Sequence, residues 1–201
     1  MSNVNNSYVR TIDCINRTFL TPAERAPLER SATVLSEKGN RYAPGILRAL
    51  AQSARRDNRM VFMSFCPGGV LRNRVDQDWK RWGNCTFEFD GGGGQLENFN
   101  SIVEGDLVVL KKIQRIGETM RLHGQGRVRE ITALSNGGNI LHMDWVQNNM
   151  YEVEVPLIGC GRAVNFVETS RLVEVMPQTF WDWLRHHNPS DLGVIKDTLA
   201  L

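Results

Sequence analysis

The segment Met120-Arg121-Leu122-His123-Gly124-Gln125-Gly126-Arg127-Val128-Arg129 places a hydrogen-bond donor at every second position. Read as a strand, it sends Met120, Leu122 and Val128 to one face with the two glycines, and Arg121, His123, Gln125, Arg127 and Arg129 to the other. One face can then pack on a core while the other offers donors to phosphate or to the polar edge of a base. Lys111, Lys112 and Arg115 in the preceding strand would enlarge a phosphate surface if they converge with it. An equally good account makes the row the solvated side of a sheet, paired with Glu152 and Glu154 on a neighbouring strand. A second group is Trp79-Lys80-Arg81-Trp82-Gly83-Asn84, preceded by Arg72 and Arg74. Aromatic side chains among cations suit base stacking with backbone contact, and equally suit anchoring a long loop.

Covalent and metal chemistry find less support. The chain has no Gly-x-Ser-x-Gly elbow, no phosphate-binding loop and no His-Glu-x-x-His helix, and Gly91 to Gly94 lack the Lys-Ser/Thr ending of a phosphate cradle. Asp76 and Asp78 form the one tight acidic pair near the basic segment, and on a strand they would share a face. A nuclease needs a third carboxylate and a lysine in pattern, which leaves metal-dependent cleavage as the weakest functional reading. Cys14, Cys66, Cys85 and Cys160 lie too far apart for a zinc ligand pair or a dense disulfide framework, so reduced, buried thiols are expected. His186 and His187 are neighbours, poor geometry for one shared metal on a helix. No metal and no cofactor is expected, and the balance is against an enzyme.

Composition is ordinary for a globular chain: 201 residues, 41% hydrophobic and 23% charged. A net charge of +2 and a pI near 8.4 are too mild to indicate nucleic-acid binding alone, so any basic surface must come from local clustering. With no apolar run near the ~18 residues of a membrane span and no apolar core of a secretion signal, a cytoplasmic protein without membrane contact is expected.

The elements that must position these groups follow from caps and periodicity. A polar, flexible start is expected to about Ser7. Thr21-Pro22-Ala23-Glu24 carries a cap, a first-turn proline and the closing glutamate of a capping box, which predicts a helix from Pro22 to about Lys38. Ile46, Leu47, Leu50 and Ala54 predict a second from about Pro44 to Arg56. Met60 to Phe65 reads as a buried strand, and residues 72 to 84 as irregular. The four glycines from Gly91 read as a flexible connection. Strands are then expected at about 106–112, 120–131, 139–146, 150–156 and 171–175, with turns at Gly137-Gly138 and Asn148-Asn149. Pro177 opens a helix through Phe180, Trp181, Trp183 and Leu184 to about Asn188, and Ser190 can cap a last one to about Leu199. Three regions result: a helical pair over 1–58 covering the rest, a small curved barrel over 59–176, and a helical extension over 177–201. The class is α+β.

A tryptophan-bearing polar segment, then Val103-Glu104-Gly105-Asp106-Leu107-Val108-Val109, then Gly124-Gln125-Gly126-Arg127-Val128-Arg129-Glu130-Ile131, then Met143-Asp144-Trp145-Val146 resembles the PUA-like superfamily over about residues 60 to 176. Among its members the EVE-type domains, related to the YTH and ASCH groups, fit the pattern best. The resemblance implies a PUA-like β-barrel that reads a modified or flipped base of DNA or RNA in an aromatic pocket. Under it Trp79 and Trp82 would stack and Asn84 would test the base edge, with Asp144 beside Trp145 as a further polar group. Arg81, Lys111, Lys112, Arg121, His123 and Arg127 would serve the backbone. Against this stands a protein-interaction subunit that docks a partner through Phe180, Trp181 and Trp183, since aromatic residues favour interface centres. A solvent-facing Trp183 would favour the partner, and a concave pocket at Trp79 the base. Trp145 alternates with Leu141 and Met143 and is expected in the core.

Overall fold

The structure, a computed structural model, describes residues 2–67, 70–87, 94–146, 151–186 and 190–200, with the backbone alone for residues 2–5. The chain divides into two compact units, one of residues 1–58 with 188–201 and the other of residues 59–187. The C-terminal segment expected as one extension is therefore shared between them. Helix α7 (Gln178–Arg185) belongs to the second unit and α8 (Asp191–Thr198) to the first.

The first unit is helical. The polar start is not loose: α1 runs Ser2–Arg17, a correction to the flexible start expected to Ser7. Its helical signal is the spacing of Tyr8, Ile12 and Ile15, which pack in one cluster and which a strongly polar first turn masks. Helix α2 (Pro22–Glu37) begins at the capping box, with Glu24 N–H donating to Thr21 Oγ1 and Thr21 N–H to Glu24 Oε2 at 2.9 Å. Helix α3 (Ala43–Arg56) presents Ile46, Ala49 and Leu50 to Leu28 and Ala32 of α2. The chain end is fastened by Arg17, whose guanidinium donates twice to Asp191 at 2.6 and 2.9 Å.

The second unit is a seven-stranded mixed sheet with α-helices. Its strands are β1 (Arg59–Ser64), β2 (Asn84–Thr86), β3 (Leu107–Arg115), β4 (Thr119–Ala133), β5 (Asn139–Trp145), β6 (Val153–Pro156) and β7 (Val164–Glu168), in the order β2-β5-β4-β3-β1-β7 with β6 also on β4. The sheet is open rather than closed into a barrel, a correction to the expected closure. β1 pairs parallel with β3 and antiparallel with β7, so the β7 end and the β2 end form two separate edges among the described residues. Residues 171–175, expected as a strand, lie in α6 (Thr169–Val175), and the last strand is instead β7. The strand propensity of valine depends on its packing context and does not decide the element alone. Residues 72–84, expected as irregular, contain a single 3-10 turn at Leu71–Asn73, then α4 (Asp76–Trp82), which Gly83 ends in the left-handed conformation at φ 66°. Helix α5 (Gln95–Asn100) precedes β3. The turn expected at Asn148-Asn149, most of the glycine run, and the expected helix end near Asn188 lie outside the described residues.

The Gly-Asp pair that starts β3 has a plain physical job. Gly105 adopts φ 87°, and buried Asp106 accepts from Val103 N–H and from both ends of the Arg59 guanidinium, closing the turn before the strand. One face of the sheet carries the larger core: Val61, Met63, Phe65, Val108, Leu110, Val128, Leu141, Met143 and Trp145, with Trp79 and Phe99 from the helices. On another face Phe62 meets Phe180 of α7 at 6.5 Å between ring centres. No helix among the described residues is long and apolar enough to cross a membrane.

Candidate anion-binding groove

A groove of about 430 Å³ opens where the C-terminal end of β1 meets β3 and the loop before β7. Its lining includes Ser64, Cys66, Lys111, Lys112, Ile116 and Arg162, and no carboxylate. The parallel β1–β3 pair ends here, the place where open sheets containing parallel strands tend to leave a crevice. A β-bulge between Leu110 and Lys111 in the pairing with β4 re-aims the strand at this point.

Lys111 is fully buried, and its ammonium donates to Cys160 O at 2.6 Å and to Arg162 O at 2.5 Å. It therefore does not hold a nucleic-acid backbone, as the sequence reading had it, but fastens the loop on which Arg162 sits. Burial lowers its pKa to about 8, against a partly offsetting attraction from Cys160, whose thiol burial raises to about 12. The loop turns through Ile158 at φ 40° and Gly159 at φ 78°. Lys112 is half-buried and Arg162 exposed, and among the described residues neither makes an ion pair, so the groove keeps two uncompensated cations. Such a pair, without a competing carboxylate, suits a phosphate oxygen.

The row of donors expected along β4 does not survive folding as one row. Bulges at His123 against β3 and at Arg129 against β5 break the alternation, and Gln125 is buried, donating to Leu184 O at 2.8 Å. Arg121 lies within 3.6 Å of Glu152 and 3.8 Å of Glu154, the cross-strand neutralisation that was the alternative account of this face. His123 stands with Nδ1 2.7 Å from Glu152 Oε1 and its ring edge-on to Phe65 at 4.6 Å. Burial lowers its pKa despite Glu152, which acts to raise it. Arg127 donates to Gly105 O at 3.0 Å, holding the start of β3.

The tryptophan segment is split in the same way. Trp79 is only 2% exposed and packs in the sheet core, and its carbonyl accepts from Trp145 Nε1 at 3.0 Å. It cannot stack on a base, because its indole is packed in the core, whereas Trp82, the last residue of α4 before the Gly83 cap, lies outside it. Trp82 is 64% exposed beside exposed Arg81, and Asn84 is half-buried in register with His142. Asp144 is exposed and lies 3.7 Å from Arg129. These outer groups flank β2 and β5, three strand positions from β3 and so on the order of 14 Å from the groove at ~4.8 Å per strand. Lys80 joins the two regions by donating to His123 O at 2.9 Å.

Two other expectations change. Asp76 and Asp78 sit on a helix two residues apart, which points them to different sides. Asp76 is buried and held by two bonds of 2.7 Å from Arg74, while Asp78 faces solvent, so the pair cannot share a metal. Phe180, Trp181 and Trp183 are buried within their own chain, and Trp183 Nε1 donates to Tyr151 O at 2.9 Å. The aromatic segment is packed within the chain rather than solvent-facing. All four cysteines are buried and free, and no His, Cys, Asp or Glu group of metal-holding size occurs among the described residues.

Arg162 is the groove residue that sequence reading passed over. Its signal was Gly159-Cys160-Gly161-Arg162, an arginine raised on a glycine-rich turn, a common way to bring a cation and bare backbone to an anion. Comparison with family models, with characterised proteins and with solved structures finds no match to this chain.

Proposed function

We propose that this chain is a nucleic-acid-binding module, and that the groove between β3 and the 157–163 loop is where it holds the phosphate backbone. The observation that carries this reading is a groove lined by Lys112 and Arg162 without a carboxylate. Lys111 acts through the loop as a positioning residue, since its two bonds to backbone carbonyls set where Arg162 stands. The exposed indole of Trp82, next to Arg81, supplies a stacking platform at the other side of the sheet, within reach of a strand that crosses β4 and β5. This keeps the nucleic-acid part of the PUA-like resemblance, with stacking by Trp82 alone.

The test is fluorescence anisotropy with DNA and RNA oligomers, single-stranded and duplex, on the wild type, on Lys112→Glu with Arg162→Glu, and on Trp82→Ala. Charge reversal in the groove is expected to abolish binding to every oligomer, whereas Trp82→Ala weakens single-stranded binding by about tenfold, the worth of one stacked base. Binding that survives charge reversal would overturn the assignment of the groove.

A further inference from the structure

Ile116 is 95% exposed at the tip of the β3–β4 hairpin, and it is also part of the groove wall. Scattered exposed apolar residues are ordinary on protein surfaces. This one differs in how it is held. The tip is a four-residue turn closed by Glu118 N–H donating to Arg115 O at 3.1 Å, with Gly117 at φ 79° and open space around it. Just behind the tip, Glu154 of β6 accepts from Thr119 Oγ1 at 2.7 Å and draws in Arg115 at 3.4 Å. Leu157 N–H donates to Glu118 O at 2.9 Å. The turn is thus tied to β6 and the residue that follows it, while its one large apolar side chain stays in water, where burial within the chain contributes nothing.

We propose that Ile116 is a wedge that enters between stacked base pairs of a duplex whose phosphates sit in the adjacent groove. This inference rests on the nucleic-acid reading and deepens it, from a polyanion in general to a duplex that is locally unstacked. Proteins that distort duplexes insert a single aliphatic side chain between base steps while cations beside it hold the backbone, and the unstacking costs a few kcal/mol per step that such contacts must offset. Lys112 and Arg162 line the same groove as Ile116, and Glu118, the carboxylate at the tip, lies 3.8 Å from Arg115. A single-stranded partner would not need a wedge, because its bases already part freely.

A set of duplex oligomers carrying 2-aminopurine at successive positions reads unstacking directly as a rise in fluorescence. Wild-type protein is expected to raise the signal at one step of the bound site. Ile116→Ser, a surface change that leaves the turn intact, is expected to lose that rise and about tenfold of duplex affinity, the worth of one buried aliphatic side chain. Duplex binding with no rise at any position, or the same rise from Ile116→Ser, overturns the wedge and leaves the groove assignment standing. Binding to no oligomer at all overturns both.

Discussion

Replacing Lys111 with methionine should make the protein's stability respond differently to alkaline pH, by an amount the structure sets. The ammonium is fully buried, and burial lowers its pKa to about 8 from an unfolded value near 10.4. Below about pH 8 the folded and unfolded chains both carry the proton, and the cost of burying the charge is fully present. Between about 8 and 10.4 the unfolded chain still binds a proton that the folded chain has released, so wild-type stability rises with pH. At ~1.4 kcal/mol per pKa unit the whole cost is about 3 kcal/mol, of which roughly 2 kcal/mol is recovered between pH 7 and pH 9.5. A neutral amine keeps two N–H donors, enough for the carbonyls of Cys160 and Arg162, so the loop stays fastened as the charge leaves. Lys111→Met removes the titration and leaves two carbonyls short of a partner, a penalty that does not change with pH. Urea unfolding of both proteins at pH 7 and pH 9.5 isolates the effect, because every other titrating group is common to the pair. The wild type should gain about 2 kcal/mol relative to Lys111→Met over that range. A difference that stays flat or falls with pH would refute a charged lysine in the wall of the groove.

Three further outcomes follow from particular contacts. A Cβ at Gly126 would lie 2.6 Å from Trp145 Cε3 and 3.0 Å from Asp144 O, so Gly126→Ala should cost about 1–3 kcal/mol through overpacking, read as a lower urea midpoint. The two tryptophans of α4 should separate cleanly in the same assay. Trp79→Ala is expected to cost about 3–5 kcal/mol as a core deletion, and exposed Trp82→Ala to stay within about 0.5 kcal/mol. Burial holds the His123 pKa below its usual 6.5, so the unfolded chain takes up the proton first as pH falls and stability drops below that point; His123→Gln should lack this part of the acid response between pH 7.5 and 5.5.

Local signals in the chain were legible where one short-range rule decided the outcome. Thr21 and Glu24 form the capping box, Met60 to Ser64 lie in a strand, and the Gly105-Asp106 turn opens β3, because caps, apolar runs and glycine turns act within a few residues. Trp145 is in the core for the same reason, as a member of an alternating strand. Legibility failed where partners are distant. The alternation in β4 looked like a clean two-faced strand, but two bulges set by pairing with β3 and β5 break it, and no residue within β4 announces them. Residues 171–175 have strand-forming valines yet form a helix, because side-chain propensity is a weak guide that the surrounding packing overrides. Lys111 and Lys112 looked alike in sequence, and one strand position separates a fully buried hydrogen-bond anchor from a half-buried cation at the groove. Arg162 went unnoticed because its importance comes from a loop held 51 residues away by Lys111.

The salt dependence of duplex binding tests the central claim most directly. Each phosphate neutralised by a cation adds about 0.9 to the slope of log affinity against log salt on a duplex. If Lys112 and Arg162 hold the backbone, Lys112→Gln with Arg162→Gln should bind more weakly at low salt and show a slope shallower than wild type by roughly 1.8. Equal slopes for the two proteins would contradict the account, and would mean that any nucleic acid bound is held elsewhere than in the groove.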